Sequence, residues 1–351
     1  MRAAVLHGKR DFRIEQVDEP GAPARGKVAV RVESVGVCGS DLHVYLDGTI
    51  GDTVLDSPLI LGHEFGGVIE AVGEDAHDGE GRPLEAGMRV AVDPSWHCGH
   101  CDLCVRGDTN LCRHHTFCGL YPYDGALRER MVVPGSACFP VPSSISADAT
   151  ALLEPLGVAI HTTDLSKIRV GDRVSVLGAG PIGLYITRLA CLAGAAAVIV
   201  SEPHAWRREA AAAMGSQVIA ISPDDLADAV EKKTGGDGMD IAIEAAWAGS
   251  AVEQAAATLR PGGRLVLVGI PAKDELSMPH AMARRKGLTI VMVRRMRNPY
   301  PRAIRLVEAG LVDLDATVSH RFPLEQAEEA FNVSAAYEDR VLKTIISMNA
   351  G

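Results

Sequence analysis

Four cysteines lie close together between residues 98 and 112, in the pattern Cys98-x2-Cys101-x2-Cys104-x7-Cys112. Four thiolates in one short loop can form a tetrahedral shell around Zn²⁺, and such a closed shell leaves no open position for a substrate. The pattern therefore predicts a structural zinc site. An iron–sulfur cluster is the main alternative, because closely spaced cysteines also hold such clusters.

Two segments nearer the N-terminus contain a second set of candidate metal ligands. One reads Gly-Val-Cys38-Gly-Ser40-Asp-Leu-His43, and the other reads Leu-Gly-His63-Glu64. A single buried cysteine is usually a small hydrophobe, so neither segment is informative alone. Together they supply a thiolate, an imidazole and a carboxylate near the ends of strand-like runs. A catalytic zinc site uses three protein ligands and keeps the fourth position for water or substrate.

A glycine-rich turn follows a strand-like run in Val174-Ser-Val-Leu-Gly178-Ala-Gly180-Pro-Ile182-Gly183. The strand before it and the helical pattern after it match the G-x-G-x-x-G fingerprint of dinucleotide-binding folds. Gly178 allows the tight turn, Gly180 lets the backbone approach a pyrophosphate, and Gly183 lets the helix pack close to the sheet. The helix N-terminus then offers free N–H groups to the phosphates.

An acidic residue stands where this fold binds the adenosine ribose. Glu202 follows Gly183 by 19 residues and ends the next predicted strand. A carboxylate there accepts a hydrogen bond from the ribose 2′-OH and repels a 2′-phosphate, which favours NAD over NADP. Arg207 and Arg208 follow closely, and their positive charges favour the opposite choice.

The order of predicted elements indicates two kinds of domain. Residues 1 to about 155 contain short alternating runs between turns, which predict an antiparallel, β-rich domain. From about residue 172, strands alternate with Ala-rich helices, which predicts a doubly wound parallel sheet. The strand candidates are Val174–Leu177, Ala197–Ser201, Val218–Ala220, Asp240–Glu244, Arg264–Val268 and Leu288–Val291. The helix candidates are Ile182–Ala193, Trp206–Met214, Asp225–Lys233 and Ser250–Leu259.

Composition narrows the choice of partners and compartment. The 351 residues exceed what one simple core needs, and the net charge is −10 without any basic block. We therefore expect no nucleic-acid partner and no membrane association. The N-terminus contains no apolar signal segment, and the clustered cysteines favour metal binding in a reducing compartment, so we expect a cytoplasmic protein.

In these motifs the chain resembles the zinc-containing medium-chain dehydrogenases. Within that family it resembles most the branch of the sorbitol and threonine dehydrogenases. The resemblance implies a GroES-like catalytic domain (1–155), a Rossmann NAD-binding domain (156–293) and a C-terminal return to the catalytic domain (294–351). It spans nearly the whole chain. The motifs that carry it are Cys38-Gly-Ser-Asp-Leu-His43, Gly62-His-Glu64, the four cysteines, Glu154-Pro-Leu156, Gly178-Ala-Gly-Pro-Ile-Gly183 and Arg321-Phe-Pro-Leu324.

The resemblance also implies roles for individual residues. Cys38, His63 and Glu64 match ligands of the catalytic zinc, and Glu154 matches a carboxylate that binds this zinc directly or through its water. The alcohol dehydrogenases of the superfamily have a cysteine where Glu154 stands, so the sequence favours a polyol substrate. Cofactor contacts are implied for Ile182, Glu202, Arg207, Val268, Gly269 and Ile270.

The expected reaction is hydride transfer from a secondary alcohol to NAD, with zinc acting as a Lewis acid. Ser40 matches the hydroxyl relay of the family, and His43 would pass the proton to solvent. Arg295 would face the substrate hydroxyls. Val44 and Met296 stand where sorbitol dehydrogenase has aromatic residues, which argues against sorbitol itself and leaves a polyol or sugar-acid site.

Two other functions remain open on the sequence alone. One is an amino-alcohol dehydrogenase of the L-threonine type, and the other is a non-enzymatic NAD-binding protein, which would have lost zinc ligands. The family commonly forms dimers or tetramers through the cofactor domain, so we expect a homodimer or homotetramer.

Overall fold

The computed structural model describes residues 1–246, 248, 250–271 and 275–348. The chain divides into two compact units. The first comprises Met1–Pro155 and the chain from Arg297 onwards, and the second comprises Leu156–Met296.

The helices and strands follow one another in three stretches. Those that begin before residue 156 are β1 (Arg2–Gly8), β2 (Asp11–Gln16), β3 (Lys27–Gly36), α1 (Gly39–Asp47), β4 (Thr49–Ile50), β5 (Thr53–Val54), β6 (Leu59–Ile60), β7 (Glu64–Val72), β8 (Arg89–Val92), β9 (Ser95–Trp96), α2 (Asp102–Val105), β10 (Thr116–Phe117), β11 (Arg130–Pro134), β12 (Cys138–Pro140), α3 (Ala147–Ala151) and α4 (Leu153–Ser166). Next come β13 (Arg173–Leu177), α5 (Pro181–Leu192), β14 (Ala197–Ser201), α6 (Ala205–Ala212), β15 (Val218–Ile221), α7 (Leu226–Thr234), β16 (Met239–Glu244), α8 (Ser250–Thr258), β17 (Leu259–Leu267), α9 (His280–Lys286) and β18 (Thr289–Met292). The last stretch contains α10 (Tyr300–Glu308), β19 (Val318–Pro323), α11 (Ala327–Ala336) and β20 (Lys343–Ser347).

The first unit is built on a mixed sheet with the strand order β12-β8-β7-β3-β20-β19, and β11 pairs with the first half of β3. Strand β3 forms because Val28, Val30 and Val32 alternate with less buried residues, so that one face enters the core. Strand β20 returns from the C-terminal part of the chain and pairs antiparallel with the end of β3. The N-terminal and C-terminal parts of the chain therefore share one sheet.

The second unit is a parallel sheet with the order β15-β14-β13-β16-β17-β18. Each strand is followed by a helix or a loop that returns the chain to the same edge, which is the doubly wound arrangement. The predicted α/β fold class, with a β-rich domain and a Rossmann domain, is confirmed. The predicted strands agree with the observed ones to within one or two residues, except at β17.

Strand β17 begins at Leu259, five residues before the predicted start at Arg264. Its pairing with β16 shifts register between Leu259 and Arg264, so the Pro261-Gly-Gly segment forms an irregularity inside the strand instead of a turn before it. Helix α9 was not among the predicted helices, because its sequence HAMARRK is short and strongly charged. Of the helices that the structure describes, none combines the length and apolar character needed to span a bilayer.

Candidate metal centres and cofactor site

The end of β3 and the start of β7 bring the second set of candidate ligands together. Gly36 pairs with Glu64 across these two strands. Cys38 follows β3 as the N-cap of α1, and His63 directly precedes β7. As a result, ligand atoms of Cys38, His63 and Glu64 lie within 4.8 Å of one another. A thiolate, an imidazole and a carboxylate at this spacing fit a zinc ion with one open position.

Asp41 orients two members of this set. Its Oδ1 lies 3.1 Å from Nδ1 of His63, and its Oδ2 accepts the backbone N–H of Cys38 at 3.0 Å. Burial lowers the pKa of His63, but the negative charges of Asp41 and Cys38 outweigh burial and hold it well above its usual value. A carboxylate on Nδ1 leaves Nε2 as the nitrogen available to a metal.

Glu64 forms a buried ion pair with Lys343, which lies at the start of β20. Lys343 is 3% exposed, and its ammonium group also donates to the carbonyl of Val37 at 2.7 Å. A Cβ at Gly36 would lie 2.1 Å from Glu64 Oε2, so only glycine leaves room for this carboxylate. The positive charge of Lys343 compensates the negative charges that Cys38 and Glu64 contribute to the site.

Glu154 lies in the first turn of α4 and is 6% exposed. Burial raises its pKa to about 8. The charges of His63 and Lys343 lower this pKa, and those of Glu64 and Asp93 raise it. Glu154 is not one of the three residues whose ligand atoms lie within 4.8 Å of one another, but the charges of two of them, His63 and Glu64, act on its pKa. Its position is that of a carboxylate next to the candidate metal centre.

The two predicted relay residues lie on α1. Ser40 Oγ is 3.3 Å from Nε2 of His63, which places its hydroxyl beside the candidate metal centre. His43 is buried, and its Nδ1 lies 3.9 Å from Asp47 Oδ2. Val44 is also buried in the same helix. The relay itself stays a prediction.

The four cysteines of the lobe form the second candidate metal centre. Neighbouring sulfurs are 3.5 to 3.9 Å apart in the pairs Cys98–Cys104, Cys101–Cys104, Cys101–Cys112 and Cys98–Cys112. Four ligands at about 2.3 Å from zinc would be separated by roughly 3.8 Å in a tetrahedron. The observed spacing therefore fits a four-sulfur zinc shell.

Backbone groups support negative charge on these sulfurs. Sγ of Cys112 accepts the N–H groups of Cys98 at 3.4 Å and of His114 at 3.3 Å. Backbone N–H groups of Cys104 and Arg113 lower the pKa of Cys101 to about 6, whereas burial raises that of Cys104 to about 12. Four thiolates so close together need a cation, which a zinc ion supplies.

The glycine turn after β13 has the shape of a dinucleotide-binding loop. Gly178 has a φ of 100°, and a Cβ at Gly183 would lie 2.0 Å from the carbonyl oxygen of Gly178. The protein itself therefore requires these two glycines. A Cβ at Gly180 would meet only Arg207 Nη1, at 3.9 Å, so the space over Gly180 is open. Helix α5 begins there with Pro181 and Ile182, and the open backbone at its N-terminus suits a pyrophosphate.

Glu202 lies beside this turn at the end of β14 and is 3% exposed. Its carboxylate accepts the N–H of Ala179 at 2.8 Å and that of His204 at 3.0 Å. Arg208 donates to the backbone carbonyl of Glu202 at 2.8 Å, so its side chain stabilises the turn between β14 and α6. Arg207 instead extends towards Gly180.

The remaining predicted cofactor residues directly follow β17. Val268 and Gly269 donate backbone hydrogen bonds to the carbonyl of Glu244, and Ile270 is 48% exposed. Arg295, the predicted substrate contact, has a φ of 54° in the left-handed region, three residues after β18. The roles of these residues stay predictions.

Three residues of these sites were not predicted from the sequence: Asp41, Lys343 and Glu244. Asp41 had a signal, because an acidic residue three positions after an N-cap is typical of a capping box. Lys343 is the charged first residue of the run Lys-Thr-Ile-Ile-Ser, which forms strand β20. Glu244 was an acidic residue at the end of a predicted parallel strand, where ligands of such sheets bind.

Both parts of the chain match known families. Residues 24–143 match the alcohol dehydrogenase GroES-like domain, and residues 181–309 match the zinc-binding dehydrogenase family. Among relatives, a sorbitol dehydrogenase of Bacillus subtilis (strain 168) is 34% identical over 99% of this chain and 98% of its own length. An L-arabinitol 4-dehydrogenase of Aureobasidium melanogenum is 34% identical over 95% of this chain and 90% of its own length.

Solved structures share the fold over the same extent. A zinc-binding dehydrogenase of Sinorhizobium meliloti 1021 bound to NADP has a TM-score of 0.87 and 30% identity, covering 99% of this chain and 98% of its own. An alcohol dehydrogenase of E. coli CFT073 complexed with NADH has a TM-score of 0.87 and 29% identity, covering 99% of both chains. Similar structures therefore bind either nicotinamide dinucleotide.

Proposed function

We propose that this chain, which belongs to the polyol branch of the zinc-containing medium-chain dehydrogenases, oxidises a secondary alcohol of a polyol, sugar or sugar derivative with NAD as hydride acceptor. The observation that supports this best is the grouping of Cys38, His63 and Glu64 within 4.8 Å. Glu154, buried beside that grouping, is the carboxylate expected of the polyol branch.

The residues of the first unit have separate tasks in this reaction. Cys38, His63 and Glu64 would hold the catalytic zinc, with Glu154 as a direct or water-mediated fourth partner. Zinc supplies a Lewis acid that lowers the pKa of a hydroxyl bound to it. Ser40 accepts the hydroxyl proton of the alcohol, and His43 transfers it towards solvent. A bound nicotinamide would accept a hydride from the carbon that carries this hydroxyl, so that the alcohol would become a ketone.

The second unit binds the cofactor in this proposal. The open backbone over Gly180 would receive the pyrophosphate, and Glu202 would accept hydrogen bonds from the ribose. Because the carboxylate of Glu202 would repel a 2′-phosphate, NAD is the preferred cofactor. The guanidinium of Arg207, which borders the open space over Gly180, would contact the cofactor there.

The domain assignment follows from these tasks. Residues 1–155 and the chain from Arg297 onwards would form the GroES-like catalytic domain with its structural zinc lobe at Cys98–Cys112, and residues 156–296, three more than the sequence predicts, would form the NAD-binding domain. Eight free cysteines, five of them in the two candidate metal centres, favour a reducing compartment, so we place the protein in the cytoplasm.

We also propose that the protein is a homo-oligomer. Strand β18 is the last strand in the order of the parallel sheet, and it exposes Ile290 (43%) and Met292 (63%). An exposed apolar strand edge favours pairing with a second copy of the same edge. Analytical ultracentrifugation of the wild-type protein and of Ile290→Lys tests this: a monomeric wild type contradicts it.

The substrate class follows from the relatives and from Arg295. The relatives named above act on sorbitol and L-arabinitol, as their names state. In this chain Arg295 would bind substrate hydroxyls or a carboxylate, while Val44 and Met296 replace the aromatic residues expected for sorbitol. The proposal therefore favours polyols or sugar acids other than sorbitol.

The test is NAD⁺ reduction, followed at 340 nm, with a panel of polyols, aldonates, cyclitols and L-threonine, together with metal analysis. Activity on a polyol or aldonate in protein that contains zinc supports the proposal. A preference for L-threonine would assign the chain to the amino-alcohol dehydrogenases instead. Zinc-loaded protein with His63→Ala as active as wild type would contradict the proposed site.

A further inference from the structure

Glu244 is a buried carboxylate that has no task in the reaction described above. It is the last residue of β16 and is 3% exposed. Burial raises its pKa to about 7, against the backbone N–H groups of Ala246 and Gly269, which lower it. No charged side chain of the described residues contributes to this shift. An ionised carboxylate is costly to bury, so an apolar residue or an amide would serve better if it only filled space.

Glu244 contacts the loops that follow two neighbouring strands. Its carboxylate Oε1 accepts the N–H of Ala246, which follows β16, at 2.8 Å. Its backbone carbonyl accepts the N–H groups of Val268 at 2.9 Å and Gly269 at 3.1 Å, which follow β17. At the carboxyl edge of the parallel sheet, the side chain of Glu244 therefore holds Ala246, while its backbone carbonyl holds Val268 and Gly269.

The side chain also packs against Gly269. A Cβ at Gly269 would lie 2.5 Å from Oε1 and 2.8 Å from Oε2 of Glu244. The glycine turn of the cofactor site is adjacent, because a Cβ at Gly178 would lie 2.6 Å from the carbonyl oxygen of Ala245. The carboxylate thus lies against Gly269, in the segment that is expected to touch the cofactor, and the next residue in the chain, Ala245, contacts the turn that is expected to bind the phosphates.

We infer that Glu244 is a positioning residue for the nicotinamide cofactor, holding the segment Val268–Ile270 in its binding conformation through its ionised carboxylate. This inference rests on the proposed function, because it takes Val268, Gly269 and Ile270 as cofactor contacts. The ionised carboxylate accepts the N–H of Ala246 with Oε1, and the N–H groups of Ala246 and Gly269 both lower its pKa, whereas the protonated form turns one oxygen into a donor. An amide in its place likewise presents an N–H₂ group to one of those donors.

The test compares NADH binding by wild type, Glu244→Gln and Glu244→Asp, with Glu231→Gln as control. Glu231 is an exposed carboxylate on α7 in the same unit. Dissociation constants come from NADH fluorescence titrations between about pH 6 and pH 8, a range that spans the pKa. At about pH 8 we expect Glu244→Gln to raise the dissociation constant for NADH about tenfold. We expect this constant to change little with pH in the variant. Wild type and the control should bind more weakly as the pH falls through about 7.

The outcomes separate this inference from the proposed function. Wild-type protein that binds neither NADH nor NADPH overturns the proposed function and the inference with it. Wild-type protein that binds NADH tightly, with the same constants and the same pH profile in Glu244→Gln, overturns the inference alone. If Glu244→Asp binds NADH more tightly than Glu244→Gln does, the charge of the carboxylate contributes to binding. If Glu244→Gln does not fold, a pH-independent dissociation constant of the wild type contradicts the inference.

Discussion

Asp41 and His63 are joined inside the first unit by a contact of 3.1 Å between Oδ1 and Nδ1, and both side chains are almost completely buried. The other oxygen of Asp41 accepts the backbone N–H of Cys38. One carboxylate therefore orients two of the three candidate zinc ligands, from a helix position only three residues after the first of them.

Replacing Asp41 with Asn should weaken zinc binding at the candidate catalytic site by about 10- to 100-fold, the range found when an outer partner of a ligating histidine is lost. The amide keeps the size of the side chain but loses the charge that fixes the tautomer of His63. Zinc transfer to a chromogenic chelator measures the effect. Asp52→Asn, in an exposed turn of the same unit, is the matched control. Equal zinc retention in both variants would remove Asp41 from the metal site.

Cys104→Ser should affect folding rather than chemistry. The four-cysteine lobe has the spacing of a closed zinc shell, and structural zinc contributes directly to the free energy of folding. We expect the zinc content to fall from about two ions per chain to about one, and the melting temperature to fall with it. Cys191→Ser, a cysteine outside both ligand groups, should retain both ions. Iron in place of zinc in the wild type would show that the lobe holds a different centre.

Glu202 should determine the choice of cofactor. We expect wild-type protein to have a clearly higher kcat/KM with NAD⁺ than with NADP⁺, and Glu202→Gln to reduce this ratio by about tenfold or more, since the repulsion of a 2′-phosphate is lost. The substitution also replaces one of the two oxygens that accept the N–H groups of Ala179 and His204 by an NH₂ group, so circular dichroism must accompany the kinetics. Equal use of both cofactors by wild type would indicate that Arg207 dominates over the carboxylate.

Glu154→Gln should keep the fold and the affinity for NAD⁺ while lowering kcat/KM by at least about 100-fold, the order expected when a carboxylate next to the metal is lost. The variant remains isosteric at a buried position, so packing changes little. Steady-state kinetics with the best alcohol of the panel, together with cofactor titration, measure the two effects separately. Near-normal turnover by this variant would show that Glu154 serves only to start helix α4.

The raised pKa of Glu244 predicts a pH-dependent stability. A carboxyl group with a pKa of about 7 in the folded protein and the usual 4.5 in the unfolded chain binds more protons when folded across that interval. Stability therefore falls as the pH rises from about 4.5 to about 7, by up to about 1.4 kcal/mol per pH unit, and then levels off. The free energy of unfolding, measured with urea at several pH values, should show this slope in wild type and lack it in Glu244→Gln. Parallel curves would show that Glu244 titrates near its usual value.

The sequence alone was sufficient where a function depends on residues that are close together in the chain. Cys98 to Cys112 form one loop, and their spacing already limited them to a closed metal shell. The glycine turn was equally predictable, because the strand before Gly178 and the helix after Gly183 are local patterns. The alternation of strands and helices in the second unit identified its fold class for the same reason.

Only the tertiary structure decided which distant residues meet. Lys343 donates to Val37, a residue 306 positions away, because β20 pairs with the end of β3. That pairing brings an ammonium group to Glu64, and no local pattern could indicate it. Glu244 likewise gathers Val268 and Gly269 because parallel strands β16 and β17 end at one edge. Periodicity and capping depend on neighbours along the chain, whereas strand register, which places charges beside each other, depends on the packing of the whole sheet.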